Sequence, residues 1–66
     1  MPAKHNSEDV KLTIDFILKD LDITRSTFYE WRTKGRAPAC FRLPNGQLRI
    51  YQSEYRRWLA NLEVAA

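Results

Sequence analysis

The chain changes its hydrophobic period around Asn45-Gly46, and that change limits the folds open to it. Phe41-Arg42-Leu43 and Leu48-Arg49-Ile50 alternate apolar with basic residues on either side of Pro44-Asn45-Gly46-Gln47, whose Asn-Gly pair is typical of a tight hairpin turn. A short two-stranded ribbon is expected there, and because such a hairpin is marginal alone, its apolar face must rest on helices. The flanking segments have helical spacing. Ile14, Ile17, Leu18 and Leu21 fall within one sector at about 100° per residue, and Thr13 can cap the helix they define. Asp22, tolerant of the left-handed conformation, ends that helix; Ile23 then points inward and Thr24 caps the next. From Arg25 to Lys34, Phe28 and Trp31 take the buried side with Thr27 at its edge, while Arg25, Ser26, Tyr29, Glu30 and Thr33 face outward. Gly35 stops this second helix, with Pro38 shortly beyond. Ser53 opens a third, with Glu54 in its first turn and Tyr55, Trp58, Leu59 and Leu62 in one sector. The expected class is mainly α with a small β-hairpin, ordered helix, helix, hairpin, helix.

At 66 residues there is room for one domain, and its small core must be dense in large side chains, which the aromatic residues supply. Residues 12–62 are expected to form it, behind a disordered arm over 1–11 and before a tail that frays over 63–66. Cys40 has no second cysteine to bridge to, and with the lone His5 it falls short of a zinc ligand set, so neither disulfide nor metal is expected. No apolar run is long enough to span a membrane, and Met1 to Val10 lacks the apolar stretch of a signal peptide; the expected location is cytoplasmic. Phe16 projects away from the apolar sector of its helix. Cover from the arm or the last helix would account for it, and so would contact with a neighbouring protomer.

Charge is unevenly spread. The chain carries +3 overall, yet residues 23–49 hold six cations against Glu30 alone for +5, residues 1–22 sum to −2, and residues 50–66 balance. A solvated surface and an anionic partner are both compatible with such a zone. Catalysis is not expected: no nucleophile has an orienting base, no glycine-rich phosphate loop occurs, and Asp20 and Asp22 read as solvated charges at a helix end. No cofactor is implied. What remains is a short helix, a tight turn, a second helix with a polar outer side and a basic hairpin, an order suited to double-stranded DNA. A helix fits the major groove, and arginine on a ribbon can enter the adjacent minor groove. On the helix, Arg25 is suited to bidentate contact with guanine, Ser26 and Tyr29 to phosphate or base, and Thr24 or Thr27 to a phosphate at the helix start, with Arg32 and Lys34 completing the set. Glu30 could accept from cytosine or pair with Lys34 four residues on. On the ribbon, Arg49 is a stronger minor-groove candidate than Arg42, and Asn45, Gly46 and Gln47 form the tip. The two arginines share one face if the pairing is regular; a bulge would separate them. An ordinary solvated turn is the alternative for the tip. Trp31 and Trp58 sit in apolar sectors and are read as core, not as stacking platforms for single-stranded bases.

Leu12-Thr13 through Leu21, Ile23-Thr24-Arg25-Ser26-Thr27-Phe28-Tyr29-Glu30-Trp31-Arg32, Gly35, Pro38, Arg42-Leu43, Gly46, Leu48-Arg49 and Ser53-Glu54-Tyr55-Arg56-Arg57-Trp58-Leu59 together resemble the excisionase and AlpA type of MerR-like winged helix-turn-helix domain. The likeness spans residues 12–62 and departs from the family's usual residues at Phe16, Asp20 and Asp22. It implies a phage or integrative-element excisionase, a recombination directionality factor that binds repeated sites near the attachment site, bends the DNA and helps an integrase assemble the excisive complex. It further implies a monomer in solution that associates cooperatively on DNA. A small AlpA- or BldC-type transcription regulator would use the same residues, and an interaction module without DNA function is the third possibility.

Overall fold

Leu12, on the short segment before the first helix, pairs with Ile50 and turns a hairpin into a sheet. The computed structural model describes residues 9–65, in the order β1 (Lys11–Thr13), α1 (Ile14–Leu21), α2 (Arg25–Thr33), β2 (Phe41–Arg42), β3 (Leu48–Tyr51) and α3 (Gln52–Ala65). The three strands are antiparallel in the order β1-β3-β2. The architecture is thus mixed α/β, with one strand more than the expected ribbon. Lys11-Leu12-Thr13 is too short to announce itself by alternation, and it becomes a strand because the open edge of β3 accepts it.

The helix boundaries are set by side chains and by two left-handed residues. Thr13 Oγ1 accepts from the Phe16 N–H at 3.0 Å, and Thr24 Oγ1 accepts from the Thr27 N–H at 3.2 Å, so both N-terminal caps fall where expected. Asp22 adopts φ 56°, and the Ile23 N–H returns to the Leu18 carbonyl at 3.0 Å, closing α1 as the sequence indicated. Gly35 at φ 70° does the same for α2. The third helix begins against β1: Asp9 accepts from the Ser53 N–H and hydroxyl, and the Gln52 N–H donates to the Val10 carbonyl at 2.8 Å. Residues 1–8 of the expected arm lie outside the described residues, whereas Lys11 belongs to β1. At the other end, α3 continues to Ala65, through residues expected to fray, with Ala66 outside the described residues.

Leu12, Ile14, Ile17, Phe28, Leu48, Ile50 and Tyr55 form the core, with no exposure at all for Ile17, Phe28 and Ile50. It lies between the helices and one sheet face. The opposite face carries Lys11, Thr13, Phe41, Arg49 and Tyr51, where the Phe41 and Tyr51 rings stack at 4.7 Å and the Lys11 ammonium sits 5.5 Å from the Tyr51 ring centre. Trp31 and Trp58 pack against the core as expected, their rings 6.0 Å apart, and Trp58 Nε1 donates to the Arg36 carbonyl at 2.8 Å. Phe16 meets the last helix through an edge-to-face contact with Tyr55 at 6.5 Å, yet remains 46% exposed. Asp20 is more than a solvated charge, since Tyr55 Oη donates to its carboxylate at 2.5 Å. No helix among the described residues is long and apolar enough to cross a membrane.

Candidate nucleic-acid interface

Arg25 opens α2, whose first backbone donors have no partner within the helix, and its side chain is more than half exposed where Phe28, three residues on, is wholly buried. Tyr29 lies one turn on from Arg25. Both line a cleft of about 340 Å³ whose other walls are the start of α1, with Thr13 and Asp15, and the hairpin, with Gly46, Gln47 and Arg49. Five of the twelve residues singled out from sequence therefore meet in one cleft: Arg25, Tyr29, Gly46, Gln47 and Arg49.

The other seven are placed differently. Thr24, Ser26 and Thr27 join hydroxyls at the start of α2, with Thr24 Oγ1 3.2 Å from Ser26 Oγ and 2.9 Å from Thr27 Oγ1, so their first task is capping. Lys34 pairs with Glu30 at 3.6 Å, the i,i+4 arrangement expected. Arg32 is half-buried, its guanidinium 5.7 Å from the Tyr29 ring centre and close to Cys40. Burial pushes the Cys40 thiol up, more than nearby Arg32 lowers it, and Sγ donates to the Pro38 carbonyl at 3.2 Å; such a thiol is a poor nucleophile. Asn45 and Arg42 belong to the turn. Asn45 Oδ1 accepts from the Gln47 N–H at 3.0 Å, and Arg42 Nη1 donates to the Gly46 carbonyl at 2.8 Å.

The turn corrects the regular pairing that would have put Arg42 beside Arg49. A two-residue Asn45-Gly46 loop would oppose those arginines on one face. Instead Leu43 and Gln47 close a three-residue loop, through the Leu43 N–H to the Gln47 carbonyl at 2.7 Å and the Gly46 N–H to the Leu43 carbonyl at 2.8 Å. Gly46 takes φ 89°, the left-handed residue that three-residue hairpins require. The register moves by one, Arg49 faces Phe41, and Arg42 faces Leu48 on the other side of the sheet. Arg49 is then fixed by donation to the Leu48 carbonyl at 2.9 Å and to Gln47 Oε1 at 3.1 Å.

Asp15 is the wall residue that sequence reasoning missed. Its carboxylate accepts a charge-assisted hydrogen bond from Arg25 Nη2. Both side chains are more than half exposed, at 54% for Arg25 and 72% for Asp15. Ion pairs in that setting add little to stability, and this one occupies a single guanidinium nitrogen, so the remaining donors are open to a phosphate or a base edge. The available signal was two opposite charges in the first turns of consecutive helices, and it becomes a contact only once the angle between those helices is known. No protein-family model matches the chain, and no curated protein or solved structure does either.

Proposed function

We propose that the chain is a sequence-specific double-stranded DNA-binding protein of winged helix-turn-helix type, with α2 in the major groove and the hairpin tip at the adjacent minor groove. The observation that carries this reading is the shared cleft. Arg25 and Tyr29 on α2 line it together with Gln47 and Arg49 on the hairpin, within the segment that holds the chain's positive excess. A duplex alternates wide groove, phosphate ridge and narrow groove, and a cleft between a polar helix and a basic ribbon suits the ridge. Guanidinium groups on both walls supply the counter-charge.

Within that class the sequence likeness favours an excisionase. Binding energy at adjacent sites near an attachment site would be spent on curving the duplex, which costs about 1–6 kcal/mol for a short site. An integrase would then assemble on the curved form. No catalytic group is required of this chain for such a role, because the direction of recombination follows from the shape of the DNA. An excision assay with purified integrase and attachment-site DNA tests the reading: adding the protein should shift the balance toward excision. Duplex binding with no such shift would eliminate the excisionase and leave a transcription regulator using the same surface. No complex with any duplex in dilute buffer would eliminate both.

A further inference from the structure

Asp15 is a carboxylate placed where a DNA-binding surface ordinarily avoids one. It lies on the wall of the cleft beside Arg25, and it is the only acidic residue among the described residues lining that cleft. The proposal that follows rests on the DNA-binding reading above. We propose that Asp15 is a positioning residue that sets sequence specificity. It holds Arg25 in a base-reading orientation and makes the surface unfavourable for duplexes that offer Arg25 no base.

Two features of the pair support this. Among the described residues Asp15 is the only hydrogen-bond partner of the Arg25 side chain, and a single guanidinium nitrogen serves the contact. A guanidinium has five N–H donors in a rigid fork, so the remaining donors can still address the two acceptors of guanine while the carboxylate restricts the swing of the side chain. The second feature is charge. A backbone phosphate entering the cleft meets Arg25 and Arg49 but also the Asp15 carboxylate, which repels it and keeps one cation partly neutralised. On a preferred site Arg25 turns its free donors to a base and away from the backbone; on any other sequence a phosphate must take Arg25 beside the carboxylate, so the repulsion falls mainly on that complex. Asp15 therefore weakens indiscriminate binding more than selective binding. The ordinary alternative is a surface ion pair that ties α1 to α2 and has no bearing on selectivity.

The test begins by selecting a preferred duplex from a randomised pool with the wild-type protein, then titrates that duplex and a scrambled one with wild type, Asp15→Asn, Arg25→Ala and the double variant. Asp15→Asn should tighten binding to the scrambled duplex and lower the preferred-to-scrambled ratio by about fivefold or more, the scale of one base contact. In the Arg25→Ala background the same change should leave the ratio within about twofold, because no guanidinium remains to be positioned. Asp15→Glu keeps the charge and should keep the penalty on the scrambled duplex. A ratio unmoved by Asp15→Asn, or moved equally with and without Arg25, overturns the role given to Asp15 while DNA binding stands. If the wild type enriches no sequence from the pool, the DNA reading itself is overturned and the role of Asp15 with it.

Discussion

Phe28 and Arg25 stand three residues apart on α2, and the molecule treats them in opposite ways. Phe28 is wholly buried among Ile17, Ile50 and Tyr55, in a core continued outward by Trp31 and Trp58. Arg25 is more than half exposed and held by one carboxylate that is itself mostly in water. The buried side depends on dispersion and apolar burial, which need close fit and cannot be exchanged for anything in solution. The outer side depends on a charge pair that adds only about 0–1 kcal/mol to stability and occupies one guanidinium nitrogen, leaving the other donors open to a new partner. A helix built this way keeps its place while its outer partners change, as the proposed reading of DNA would require of it.

The comparison breaks most readily at Phe28. Phe28→Ala should cost about 3–5 kcal/mol of stability, enough to unfold much of so small a domain, as urea denaturation followed by circular dichroism will register. A loss below about 1 kcal/mol would mean that the aromatic side is not what holds α2. Arg25→Ala should show the reverse pattern. Its unfolding free energy should stay within about 0.5 kcal/mol of the wild type, and discrimination between preferred and random duplexes should fall by about 1–3 kcal/mol. Equal losses on both duplexes would remove Arg25 as a base reader.

How much of this was legible in the sequence divides along the same line. The caps Thr13 and Thr24, the left-handed Asp22 and the buried aromatics follow from local chemistry and helical spacing, and they stand where those signals put them. What required the third dimension was different in kind. Strand β1 exists because of an edge elsewhere in the chain, and three residues of Lys-Leu-Thr carry no periodicity by themselves. The register of the hairpin hung on whether two or three residues make the turn, and one residue reverses every side chain beyond it. Asp15 entered the site through the angle between α1 and α2, which no spacing within either helix encodes.

Tyr55 lies on the packed side yet carries a polar group, so it sharpens the contrast by a smaller amount. Burial, and then the hydrogen bond and negative charge of Asp20, push the Tyr55 hydroxyl above the ordinary tyrosine value of about 10. The unfolded chain then ionises first as the solution becomes alkaline. Stability that Tyr55 contributes is fully present below about pH 10 and is lost as pH rises above it. Tyr55→Phe should cost about 0.5–1.5 kcal/mol near neutrality, from the missing bond to Asp20, and should fall less steeply in alkaline solution than the wild type. Parallel curves for the two proteins above pH 10 would show that the Asp20 contact does not hold in solution.

The smallest effect is expected on the hairpin, where two arginines close in sequence ought to behave differently. With regular pairing, Arg42 and Arg49 would lie side by side and removing either would weaken DNA binding alike. The three-residue turn places them on opposite faces; Arg49 lines the cleft with Arg25, whereas Arg42 is turned back to the Gly46 carbonyl. Arg49→Ala should therefore weaken binding to all duplexes and flatten the dependence of log affinity on log salt by about one phosphate contact, a slope change near 0.9. Between about 50 and 200 mM salt one such contact is worth about 3.5-fold, within reach of a fluorescence titration. Arg42→Ala should leave that slope unchanged, its cost confined to a less rigid turn. Equal flattening by both substitutions would mean that the register does not separate the two charges when DNA is bound.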